Sequence, residues 1–80
     1  MLVSMVKTMN EAKKAGYCVP AFGVGNEVNV RAVLDAAEAK RSPVILLVMA
    51  MNTPDMQYLG RICQDLGVRA GVPVSVILDH

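Results

Sequence analysis

The run Val44-Ile45-Leu46-Leu47-Val48-Met49 is apolar at every position. A strand with one wet face alternates apolar and polar residues, so an unbroken run predicts a parallel strand covered on both sides. Residues 74–78 read the same way, interrupted only by Ser75, and residues 17–22 form a third short apolar stretch in which Pro20 disturbs a regular ladder. Between these runs lie segments with helical periodicity. The order is helix, strand, helix, strand, helix, strand. Strands separated by helices of this length predict right-handed crossovers and a parallel α/β sheet.

The helices carry their own punctuation. Residues 4–15 open on Ser4 as a cap, repeat Met5, Met9 and Ala12 at helical spacing, end with Lys13 and Lys14 at the negative end of the dipole, and stop at Gly16. Residues 27–41 follow the capping residue Asn26, with Val30, Val33, Leu34 and Ala37 as one buried stripe, and Ser42-Pro43 breaks the helix. Thr53, Pro54 and Asp55 predict the start of the third helix, as cap, first helical residue and first-turn acid. Its inward face is Met56, Leu59, Cys63, Leu66 and Ala70, and Gly71-Val72-Pro73 ends it. No repeat, linker or low-complexity stretch divides the chain, so residues 1–80 read as one segment without an internal domain boundary.

Composition excludes several classes. The chain is 54% hydrophobic and 19% charged, with a formal charge of +1. That charge gives no field for nucleic acid or an anionic membrane, and that apolar fraction is incompatible with a disordered segment. No apolar run approaches the roughly 20 residues of a membrane helix. The N-terminus, with Lys7, Lys13 and Lys14 inside a periodic helix, does not read as a signal peptide. Cys18 and Cys63 lie too far apart for a redox or metal motif and read as reduced thiols. A parallel sheet needs cover on both faces, which three helices supply poorly, and its edge strands would be open. The chain therefore reads as the opening of a longer α/β protein, either an open sheet or about a third of a (β/α)8 barrel.

In such proteins chemistry gathers beyond the C-terminal ends of strands. Three places qualify. Gly23-Val24-Gly25-Asn26 follows the first strand; it has Gly-x-Gly, but the third glycine of a dinucleotide fingerprint is replaced by Val28. Turn glycines account for it, with a phosphate site as the alternative. Asn52 and Thr53 follow the second strand, Thr53 as a helix cap. Asp79-His80 closes the third strand. A carboxylate and an imidazole at a buried strand end are costly unless paired or liganded. His80 can ligate zinc and Asp79 can act as acid or base; alternatively Asp79 caps a turn and His80 is a surface histidine. One His is too few for a catalytic zinc, which takes three protein ligands.

The chain as a whole resembles the N-terminal third of the class II, zinc-dependent fructose-bisphosphate and tagatose-bisphosphate aldolases. The resemblance is carried by Met1-Leu2-Val3, Gly16-Tyr17-Cys18-Val19-Pro20-Ala21-Phe22, Ala32-Val33-Leu34-Asp35-Ala36-Ala37-Glu38, Ser42-Pro43-Val44-Ile45-Leu46, Val72-Pro73-Val74 and Leu78-Asp79-His80. It implies the first three or so βα units of a (β/α)8 barrel, preceded by a short helix across its base. It implies a cytoplasmic glycolytic lyase, dimeric or tetrameric. The reaction is reversible cleavage of a ketose bisphosphate, such as fructose 1,6-bisphosphate, to dihydroxyacetone phosphate and glyceraldehyde 3-phosphate. It implies Asp79 as the acid/base for the C4 hydroxyl and His80 as one of three ligands to Zn2+, with the other ligands beyond residue 80. The isolated segment would then be inactive. Two positions depart from the family pattern: Gly23 stands where the family usually has Asn, and Met49 where it commonly has Ser, both facing substrate. These departures support an alternative, a non-catalytic phospho-sugar-binding paralogue on the same barrel. An open α/β nucleotide-binding module, supported only by Gly23 and Gly25, would show a reversed strand order instead of a sequential one.

Overall fold

A computed structural model of the chain describes residues 1–49 and 55–79. The elements run α1 (Met5–Ala15), β1 (Ala21–Val24), α2 (Glu27–Lys40), β2 (Val44–Met49), α3 (Met56–Arg69) and β3 (Val74–Asp79). The three strands form one parallel sheet in the order β1-β2-β3. Ala21 pairs with Ile45 and Ile45 with Ser75, which sets the register of the whole ladder. Sequential order is what a barrel requires, and no reversal occurs at β1.

One face of the sheet carries the core. Val24, Val44, Leu46, Val48 and Val74 pack beneath Val30, Leu34 and Ala37 of α2 and Leu59 and Cys63 of α3. The stripe expected on α2 is therefore the buried one, with Val33 at its margin. The opposite face is less covered. Ser75 is buried there against Thr8 of α1, while Ala21 and Gly23 are exposed. The expectation of cover on both faces thus holds for one face and for the lower end of the other.

Two boundaries and one buried face differ from the sequence reading. The first strand is Ala21–Val24, not residues 17–22, because the ladder starts where the Ile45 amide donates to the Pro20 carbonyl (2.9 Å). The third helix starts at Met56, with Asp55 as its cap rather than a first-turn residue. The Asp55 carboxylate accepts from the Tyr58 amide at 2.9 Å, the bond an N-cap makes. Thr53 and Pro54 lie outside the described residues. On α1 the inward residues are Thr8 and Ala12, whereas Met5 and Met9 are 39% and 45% exposed.

The first three residues run beside the start of β3. The Val3 amide donates to the Val74 carbonyl (2.9 Å) and the Val74 amide donates to the Met1 carbonyl (2.7 Å), a short parallel bridge. The Met1 amino group also donates to the carbonyls of Ala70 and Val72, just past α3. Leu2 packs over Gly67, where a side chain would collide with it. Gly16, at φ +80°, ends α1 in the left-handed conformation that favours glycine.

Candidate functional site

The parallel ladder brings the C-terminal ends of the three strands to one rim. At its top, the backbone of Asp79 is in register with Met49; one step below, Leu78 pairs with Val48 and Val48 with Val24. Asp79 therefore extends β3 to the last described position. His80, Ala50, Met51 and Asn52 lie outside the described residues, so the Asp-His pair is represented here by the Asp79 backbone.

The turn after β1 resolves one alternative. The Asn29 amide donates to Asn26 Oδ1 at 2.9 Å, and the Gly25 amide donates to Asn29 Oδ1 at 3.1 Å. Two backbone donors that would greet a phosphate at this helix start are already satisfied by side chains. The glycines serve a reciprocally capped turn. Asn29 was not singled out from sequence; the signal was present, since a polar residue three positions after an N-cap is the spacing of a capping box. With the sequential strand order, this removes the basis for a dinucleotide module. Gly23 sits within β1, paired with Leu47 and exposed, and presents no side chain toward the rim.

The described residues hold no cluster of three His, Cys, Asp or Glu able to hold a metal ion. Cys63 is fully buried between α3 and the sheet, and burial pushes its thiol up from 9.0 to about 11. It is protonated at neutral pH, and metals bind the thiolate. Cys18 is free and exposed below the start of β1. The single histidine of this chain, His80, lies outside the described residues, and one histidine is too few for a catalytic zinc, which takes three protein ligands.

Residues 3–80 match the family described as fructose-bisphosphate aldolase class-II. The chain belongs to the class II fructose-bisphosphate aldolase family. It is 40% identical to the fructose-bisphosphate aldolase of Thermus caldophilus over 84 residues, covering 100% of this chain and 27% of that protein. A probable fructose-bisphosphate aldolase of Bacillus subtilis is 34% identical over 87 residues, covering 99% of this chain and 30% of the relative. Among solved structures, the YdjI aldolase of Escherichia coli K12 superposes with a TM-score of 0.88 at 31% identity, covering 100% of this chain and 32% of that one. The chain therefore spans between 27% and 32% of the length of these aldolases. Its three parallel strands and their helices match the N-terminal part of the aldolase barrel. Among the described residues no helix is long and apolar enough to cross a membrane.

Proposed function

We propose that residues 1–80 form one undivided segment, the N-terminal third of a zinc-dependent class II aldolase acting on a ketose bisphosphate. The observation that carries the reading is the position of Asp79. It ends a parallel strand in register with Met49 at the C-terminal rim, in a chain whose family match runs through residue 80. Chemistry in such barrels gathers at the C-terminal ends of the strands, which supports a site role for Asp79.

In this reading His80 contributes one imidazole ligand to zinc, and the remaining ligands come from the parent protein outside these residues. Zinc, when bound, supplies Lewis acidity toward the ketone of the substrate. Asp79 takes the proton from the C4 hydroxyl as the C3–C4 bond breaks. The bonding pair stays with the dihydroxyacetone phosphate half, and C4 leaves as the aldehyde of glyceraldehyde 3-phosphate. In the condensation direction Asp79 returns the proton. The parent is a cytoplasmic homodimer or homotetramer, and these 80 residues alone do not turn over substrate.

The test is steady-state cleavage of fructose 1,6-bisphosphate and tagatose 1,6-bisphosphate by the full-length parent and its Asp79→Asn variant. Loss of the acid/base should lower kcat by about 10²–10⁴ while zinc content is unchanged. Equal activity in the two proteins refutes the role of Asp79. Binding of either sugar without cleavage by the wild type selects the second reading, a phospho-sugar-binding paralogue, which Gly23 and Met49 favour because both replace polar residues of the family pattern.

A further inference from the structure

The N-terminal arm is attached to the rest of the molecule in an unusual way. No residue of α1 belongs to the main apolar core, which is built from the three strands, α2, α3 and the segment joining α3 to β3. Of the α1 side chains only Thr8 and Ala12 are buried, and the principal packing partner of the helix is β3. Polar bonds hold the arm in place. Ser75 Oγ donates to the Val3 carbonyl (3.1 Å), and Thr8 Oγ1 lies 3.1 Å from Ser75 Oγ. A serine hydroxyl has one proton. With that proton on Val3, the Thr8 hydroxyl must be the donor to Ser75. Ser75 is thus a two-way junction, fastening both the strap of residues 1–3 and the helix behind it to one strand. The strap in turn occupies the Val74 amide and carbonyl, the first rung of the outer edge of β3. Beyond Val74 no strand pairs with that edge among the described residues.

We propose that residues 1–16 are a latch that opens as a unit, pivoting at Gly16, without unfolding the core. Opening frees the Val74 amide and carbonyl and the Ser75 hydroxyl on β3. The latch is held by the Ser75 junction and by Leu2 over Gly67, and loss of either releases it. Local opening of this kind is expected where few apolar contacts and several hydrogen bonds secure a segment.

Native-state hydrogen exchange on the 80-residue chain tests this directly. The amides of Val3, Val74 and the second half of α1 should share one opening event and exchange at least about tenfold faster than the amides of β2. Ser75→Ala should accelerate that group about a further tenfold and leave β2 unchanged; if Ser75→Ala does not fold, Leu2→Ala serves as the second variant with the same expectation. Exchange of the arm at the rate of β2, or acceleration by either variant spread evenly over the whole chain, overturns the proposal.

Discussion

Gly67 lies in the last turns of α3, and an added Cβ there would stand 2.7 Å from Leu2 Cδ2, 3.4 Å from Leu2 Cγ and 3.5 Å from Val74 Cγ1. Gly67→Ala therefore sets two effects against each other. Alanine in a helix is better than glycine by about 0.5–1 kcal/mol. The methyl requires the Leu2 Cδ2 end of a flexible side chain to move aside, at the expense of its packing on α3. Full burial of a leucine side chain is worth about 1.5–3 kcal/mol, and Leu2 is partly buried, so roughly 1–2 kcal/mol of that is lost. The net effect is a destabilisation of about 0–1.5 kcal/mol. In a Leu2→Ala background the obstacle is gone, and the same Gly67→Ala change should stabilise by about 0.5–1 kcal/mol. Urea denaturation of the four proteins gives the coupling as a double-mutant cycle. Stabilisation by Gly67→Ala in both backgrounds would refute the packing of Leu2 on α3, and with it the anchoring of the first three residues.

Gly60 has no atom within 4 Å of an added Cβ, so Gly60→Ala should stabilise by about 0.5–1 kcal/mol in the same urea assay. Asn26→Ala removes the cap on Asn29 and should cost about 1 kcal/mol, with an unchanged m-value. The Cys63 thiol is pushed up to about 11 in the folded chain against 9.0 unfolded. The unfolded state therefore releases its proton first, so this stability is complete below pH 9 and declines as pH rises toward 11. The decline is of the order of 2–3 kcal/mol. The stability of the wild type should fall more steeply than that of Cys63→Ala over this range; parallel curves contradict the assignment.

Much of the architecture is readable before folding because local and global signals agree. The unbroken run of β2 specified parallel pairing, and its bounds are those of the strand. Ser4, Asn26 and Gly16 act as the caps their chemistry suggests. The failures have specific causes. The inward face of α1 follows Ser75, a residue sixty-seven positions from Thr8, so periodicity of apolar residues pointed to Met5 and Met9 instead. The start of β1 is set by pairing with β2, which no local pattern encodes. Asp55 caps α3 through its carboxylate; Asp and Thr are both favoured cap types, so local sequence alone did not select the position. At the candidate site, the third strand was legible from its apolar run and extends one residue further, to Asp79. A complete metal site is not legible in these residues, because one histidine is too few for a catalytic zinc.

The central claim is that His80 ligates a zinc ion shared with the remainder of a class II aldolase. Metal content by mass spectrometry, on the full-length parent and its His80→Ala variant purified under metal-replete conditions, tests it most directly. The account predicts about one zinc per wild-type chain and a large loss in the variant, with the fold retained by circular dichroism. Equal zinc in both proteins, or none in the wild type, would contradict it.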